Sequence, residues 1–170
     1  MFCSENVAAP YCRHRQKKVH AIVGLDGQTN SPDSTRALNT AVNHSGTVAV
    51  DQYGNVYWTD EDWLYPRIER ANFDGSQREI LFEPYSFEPR GIAIHRDLNK
   101  LFWADPFTNK IVQANLDGSN RETLIATDSF SGPEGIALDT QSNKIYWTDY
   151  VISQILRANL DGSDIETLVS

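Results

Sequence analysis

The sequence predicts an all-β protein made of four-stranded antiparallel sheets repeated along the chain, and three observations predict it. The first is a motif closing a strand-like run: NVYWTD at 55–60, KLFWAD at 100–105 and KIYWTD at 144–149, with aromatic pairs that start 45 and 44 residues apart. The second is a turn-bearing segment at a kept distance behind it, RIERANFDGS from Arg67, KIVQANLDGS from Lys110 and QILRANLDGS from Gln154. The third lies ahead of each aromatic pair, as TVAVD at 47–51, GIAIH at 91–95 and GIALD at 135–139. Three landmarks in one order at one period define a structural repeat, to be read before any single residue. A carboxylate that returns once per repeat, as Asp60, Asp105 and Asp149 do, is expected to be architectural.

Each element of the repeat follows from local chemistry. GIALD and KIYWTD are short runs rich in β-branched and aromatic residues, separated by the polar TQSN, and read as strands A and B of a hairpin. ILRAN follows after a brief loop as strand C, then DGS, then IETLV as strand D. Asp-Gly between two strand-like runs is a tight-turn signal, because glycine takes positive φ without steric cost. The aromatics of strand B are adjacent in sequence and so point to opposite faces, which requires both faces of the sheet to be covered. Sheets stacked on sheets supply that cover. Four short strands per period of about 40 to 45 residues is the signature of a β-propeller blade.

YWTD followed by RANLDGS resembles the class B repeat of the low-density lipoprotein receptor and its relatives, a six-bladed propeller family that includes receptor-related and nidogen-like proteins. Residues 47–170 carry the resemblance as three blades, at about 47–86, 87–130 and 131–170. It implies that Tyr57 and Trp58, Phe102 and Trp103, and Tyr146 and Trp147 pack blade against blade. It also implies that Asp60, Asp105 and Asp149 fasten neighbouring blades through bonds to backbone. The second repeat departs from the pattern at Phe102 and Ala104, losing a hydroxyl at each, and weaker fastening is expected there. Upstream, 19–46 contains VHAIVGLDGQ, similar to a degraded strand C with its turn, and is expected to form a partial blade. Residues 1–18 are a polar, basic lead-in.

Three blades make half of a six-bladed ring, and an open half-ring leaves apolar blade faces exposed. The remaining blades of a longer chain, or a second copy in a closed two-fold ring, would complete it.

The charge and cysteine pattern narrow the function. A formal net charge of −8 over 170 residues argues against nucleic acid, which demands a basic surface, and leaves room for a basic partner. No apolar run is long enough to span a membrane, and MFCSENVAAPYC lacks the profile of a signal peptide. Cys3 and Cys12 are compatible with a short disulfide loop and fit no zinc spacing. Asn43-His44-Ser45 is a glycosylation triplet, weak support for an extracellular setting.

In a four-stranded meander the A–B and C–D turns emerge on one face and the B–C and D–A connections on the other. The first set is short and polar, with Tyr53 as its aromatic. The second holds Trp63, Tyr65, Tyr85, Phe87, Phe107, Phe130 and Tyr150, together with Glu61, Asp62, Glu83, Glu88 and Glu134. Loop aromatics are common interface anchors, so this face is the expected site for a protein or peptide ligand carrying Lys or Arg. The competing expectation for each ring is a structural one, plugging a blade junction or covering a strand end. The resemblance implies the same use, in an extracellular endocytic or signalling receptor, for instance of the Wnt co-receptor kind, with no cofactor.

Two other functions are open. Pro133-Glu134-Gly135 resembles the inner-strand openings of metal-dependent propeller hydrolases and lactonases, with Glu134 as a hard-metal ligand, but Arg90 in the matching position of the second repeat repels a cation. A scaffold propeller of the matrix, without a ligand of its own, is the other. No G-x-S-x-G is present, and His14, His20, His44 and His95 lie apart from any matching nucleophile. His95 holds the position of Asp51 and Asp139. It is either a pH-responsive group or a substituted turn residue.

Overall fold

The computed structural model describes residues 45–62, 64–83 and 87–170. Cys3, Cys12, Asn43, the 1–18 lead-in, Trp63 and Tyr85 lie outside the described residues, as does the expected partial blade except for Ser45 and Gly46.

Twelve strands are present among the described residues: β1 (Ser45–Val50), β2 (Val56–Asp60), β3 (Arg67–Ala71), β4 (Glu79–Phe82), β5 (Ile92–His95), β6 (Lys100–Asp105), β7 (Lys110–Asn115), β8 (Glu122–Ala126), β9 (Pro133–Asp139), β10 (Lys144–Asp149), β11 (Gln154–Asn159) and β12 (Glu166–Val169). They form three four-stranded sheets, each ordered as in the chain, with every neighbouring pair antiparallel. The predicted meander is therefore the observed blade, three times over. Gly75, Gly118 and Gly162 carry φ of 80°, 84° and 85° in the C–D turns. The aspartate before each glycine closes its own turn by accepting the serine N–H and hydroxyl, at 2.9 and 2.6 Å for Asp117 and Ser119.

The blades are held together by their second strands. Every residue of β2 is buried, which leaves no solvent face on that strand. Tyr57, Ile68 and Phe82 of the first blade pack with Leu101, Trp103, Val112 and Ala114 of the second in one apolar cluster. Phe102, Ile111 and Ile125, on the other face of the second blade, pack with Ile145, Trp147 and Ala158 of the third. Adjacent residues of strand B thus serve two different interfaces, as period-two geometry requires. None of the Trp58, Trp103 and Trp147 indole N–H groups has a hydrogen-bond partner. Each leaves a desolvation cost of about 1–3 kcal/mol that burial of the ring must exceed. Trp103 recovers part of it from the Arg121 guanidinium, 5.5 Å from its ring and 5.6 and 5.1 Å from Phe82 and Phe87.

The far side of the third blade repeats the second blade's positions without their cover. Ile155 and Val169 are 39% and 55% exposed, whereas Ile111 and Ile125, their counterparts, are 0% and 3% exposed. The difference is the missing neighbour, since the residues are of the same kind.

Polar contacts at the inner strands differ between junctions. Between blades one and two, Thr47 Oγ1 and Thr59 Oγ1 both donate to the Arg90 carbonyl, at 3.0 and 2.8 Å, and Thr47 Oγ1 accepts the Ile92 N–H at 2.8 Å. The second blade has Ala104 where the first has Thr59, and weaker fastening was expected for want of that hydroxyl. At its junction with the third blade, the Gly91 N–H instead donates directly to the Glu134 carbonyl at 2.7 Å. Backbone replaces side chain as the link. The approach needs glycine, because a Cβ on Gly91 would lie 2.4 Å from that carbonyl oxygen and 2.7 Å from the Ile136 nitrogen. Gly91→Ala is therefore expected to lower unfolding stability by about 1–3 kcal/mol through overpacking. Urea denaturation checks it, and an unchanged midpoint would show that the two inner strands separate without cost.

Candidate functional site

The three motif aspartates are buried, at 0% exposure for Asp60 and Asp105 and 2% for Asp149. Asp149 Oδ1 accepts the N–H groups of Gly132, Val151 and Ile152 at 2.9, 3.0 and 3.2 Å, and Oδ2 accepts the Ser131 hydroxyl. Asp105 accepts the Glu88 N–H at 3.0 Å and both the N–H and hydroxyl of Thr108 at 3.2 and 2.7 Å. Each carboxylate thus ties the segment arriving from the preceding blade to its own B–C loop. Asp60 accepts the Asp62 N–H at 3.2 Å and pairs with buried Arg67 at 3.0 Å. Arg67 in turn bonds buried Glu69 at 2.8 Å, and Arg78 bonds Glu69 at 2.5 Å. These buried carboxylates shape the loop face from beneath.

Several of the expected side chains do lie open on that face. Tyr65, Phe107, Phe130 and Tyr150 are exposed, as are Leu64, Val151 and Ile152 beside them. Asp62 presents Tyr65: its Oδ1 accepts the Leu64 and Tyr65 N–H groups at 2.9 and 3.1 Å. Gly132 makes room for Tyr150, whose ring would be 2.5 Å from a Cβ there. Phe87 does not belong with them. It is 3% exposed and packs edge-on against Trp103, with centroids 6.5 Å apart at 80°. The apolar cluster between the first two blades absorbs it, as the structural reading of these rings anticipated.

Arg90 organises the acidic residues. Its guanidinium reaches Glu88 at 2.5 Å, Glu134 at 3.2 Å and Glu61 at 3.5 Å, so one cation is shared by carboxylates from two loops and the start of β9. Burial works against the Arg90 charge, but the Glu88 hydrogen bond and the fields of Glu61, Glu88 and Glu134 outweigh it and raise its pKa. The sequence reading treated Arg90 as a repulsive neighbour. It is a bridge, which its three acidic partners scattered over 73 residues could not announce. Glu134, the candidate metal ligand, is one of those partners.

On the opposite face, Tyr53 is not the lone turn aromatic: Phe73, one residue before the first Asp-Gly, is 79% exposed in the C–D turn. Asp51 caps its A–B turn, with Oδ1 accepting the Tyr53 and Asn55 N–H groups at 2.8 Å each. Asp139 does the same for Gln141 and Ser142 at 3.1 and 3.2 Å. His95 is buried and copies the role through Nδ1, 3.4 Å from the Leu98 nitrogen, while its Nε2 has no partner. That geometry is a substituted turn cap.

Three stacked four-stranded meanders joined through their inner strands define a unit of a β-propeller. The sequence profile described as low-density lipoprotein receptor repeat class B matches residues 99–140, one full period from β6 to β9. Low-density lipoprotein receptor-related protein 5 of Mus musculus is 40% identical over 71 residues, 42% of this chain and 4% of that protein. Protein cueball of Drosophila ananassae is 33% identical over 73 residues, 41% of this chain and 11% of that protein. Among solved structures, a chain of a nidogen/laminin complex superposes with a TM-score of 0.67 at 30% identity, over 74% of this chain and 48% of that one. Over residues 99–140 the chain is thus similar to the class B repeat of the low-density lipoprotein receptor family. It spans a small part of these curated relatives and about half of the solved propeller chain.

Two measurements test the capping carboxylates. Asp149→Ala strands the Gly132, Val151 and Ile152 donors and is expected to cost about 3 kcal/mol or more, at about 1–3 kcal/mol per buried unsatisfied group. A normal melting temperature in that variant would remove Asp149 as a fastener. For Asp51, burial raises the pKa, but the bonds from Asn55, Tyr53 and Tyr57 outweigh it and hold the group below its ordinary 3.8. A depressed folded pKa gives stability that is present above the unfolded value and lost as pH falls through the folded one. Asp51→Asn should therefore be less stable at pH 7, with the gap to the native protein closing below about pH 4. A gap that stays constant down to pH 2 would contradict this.

Proposed function

We propose that this chain is part of a noncatalytic extracellular propeller that binds a protein or peptide through the B–C and D–A loop face. The observation that carries the reading is the row of open side chains, Tyr65, Phe107, Phe130 and Tyr150, on loops of one face that half-buried Asp62 and buried Asp105 and Asp149 hold. Large rings on rigid loops bury area at small entropic cost. A monomer has no folding reason to leave so many on one side. Glu61, Glu88 and Glu134 against the single Arg90 leave a negative centre beside the rings, which suits a partner presenting Lys or Arg. Trp63 and Tyr85 belong to the same loops by sequence and are assigned to the same surface.

The class B repeat supports a receptor or matrix setting. The nidogen/laminin complex is a protein assembly containing a propeller similar to this one. Endocytic or signalling roles are the finer form of the proposal. Among the described residues, no helix is long and apolar enough to cross a membrane. The uncovered side of the third blade, with Ile155, Leu168 and Val169 exposed, is assigned to a further blade of the ring, from a longer chain or a second copy. The hydrolase alternative needs Glu134 free for a cation, and Arg90 occupies it.

A photo-crosslinking residue placed at position 107 or 150 of the chain is expected to capture a cell-surface or matrix protein that the same residue at position 53 does not. Tyr65→Ala with Tyr150→Ala should then weaken binding of the captured protein at least about tenfold, with an unchanged melting temperature. Capture of the same protein from both faces, or unaltered affinity in the double variant, would remove the loop face as the site.

A further inference from the structure

We infer that the cleft between the first and second blades, on the face opposite the loops, binds a neutral saccharide. The cleft has a volume of about 450 Å³ and lies within the range of small-molecule sites. Asp51, Tyr53, Asn55, Tyr57 and Arg70 line it from the first blade, and Leu98, Asn99, Asn115, Leu116 and Asp117 from the second.

The repeat supplies an internal control. At the positions of Asp51, Asn55, Tyr57 and Arg70 the second blade has His95, Lys100, Phe102 and Gln113. The A–B turn of the first blade is also one residue shorter, with Tyr53 at its tip and Gly54 at φ 87°. The third blade keeps Asp139, Tyr146 and Arg157 at three of these positions, so what sets the first blade apart from both others is Asn55 and the shortened turn with Tyr53 at its tip, which meet in this cleft. Asn55 stands where both other blades have a lysine, so the side chain that would reach across is shorter here.

The chemistry of the lining selects the ligand. Both charged groups at the base are already matched. Asp51 accepts the Tyr53 and Asn55 N–H groups, the Asn55 side-chain amide at 2.7 Å and the Tyr57 hydroxyl at 3.2 Å. Arg70 bonds Glu79 through Nε at 2.6 Å and the Leu116 carbonyl at 3.0 Å. An ionic ligand would have to compete with these pairs. Asn55 Oδ1, Asn99 Nδ2, Asn115 Oδ1, the second oxygen of Asp117 and the Tyr53 hydroxyl line the cleft and make no hydrogen bond to the described residues. Their other atoms are held, Asn99 Oδ1 by Gln52, Asn115 Nδ2 by Ser119 and Asp117 Oδ1 by Ser119. Held amides with one open valence each are pre-oriented partners for hydroxyl groups, which both donate and accept. Tyr53 and Leu98, 73% and 56% exposed, line the same cleft and offer apolar surface to the C–H face of a pyranose ring. A row of hydroxyls on an apolar ring face is sugar chemistry, whether the sugar is free or carried on a glycoprotein.

The test uses the full chain with N,N′-diacetylchitobiose, mannotriose and lactose, each at millimolar concentration, read by saturation-transfer NMR. At least one is expected to receive saturation. Tyr53→Ala and Asn99→Ala should each weaken it about tenfold. Asn55→Lys, which restores the residue type of the other blades and gives up the amide bond to Asp51, should abolish it while circular dichroism shows the chain still folded. Capture of a mannose-bearing glycoprotein that is lost on enzymatic deglycosylation, with no response to the free sugars, would support the attached form instead. No binding to either kind of probe, or binding that survives Asn55→Lys, overturns the inference. Variants at Tyr65 and Tyr150 leave this readout unchanged, so it stands or falls separately from the loop face.

Discussion

The structure depends on the sharing of one strand between two interfaces. In the second blade Trp103 packs toward the preceding sheet and Phe102 toward the following one, while Tyr57 of the first blade and Trp147 of the third face the second. The second blade therefore buries its pair only with a neighbour on each side. This is the nearest-neighbour coupling expected of repeat proteins, with stability residing in junctions as much as in units. The third blade makes the dependence visible, because residue types that are sealed in the second blade are open in the third.

The polar design follows from that stacking. Sheets pressed together at their inner strands bring backbone groups of different blades within hydrogen-bonding distance, and these groups need partners. One junction uses two threonine hydroxyls and the next uses a glycine that lets backbone meet backbone. The motif aspartates answer the same demand at the strand ends, where two connections arrive side by side with unpaired N–H groups. Since those connections carry the exposed rings, the fasteners that stabilise the fold also aim the candidate surface. Stability and recognition share these residues. A carboxylate spent on three backbone donors is unsuited to proton transfer, and its interest is positional.

Much of this was legible in the chain. The strand order, the turn positions and the architectural role of Asp105 and Asp149 follow from a period and from simple turn chemistry. Side-chain assignment was less legible where a loop residue had a choice between solvent and a blade junction. Phe87 and Phe107 are both loop phenylalanines on the same side; one is clamped against Trp103 and the other is open. Nothing local separates them. The partners of Arg90 lie in two loops and the start of β9, and Tyr53, Asn55, Asn99 and Asn115 meet only because two A–B turns and a C–D turn emerge together.

The amino-acid sequence by itself determined the blade, because period, alternation and Asp-Gly turns act over a few residues and recur three times. Only the tertiary structure decided which rings are buried, which hydroxyl could be dispensed with and where a cleft opens. Those outcomes depend on the spacing of one sheet from the next, a quantity set jointly by every side chain between them. The loss at Ala104 looked like a defect in the motif. Ala104 donates its N–H to the Gly91 carbonyl, and Gly91 is where two blades approach closely enough to bond backbone to backbone.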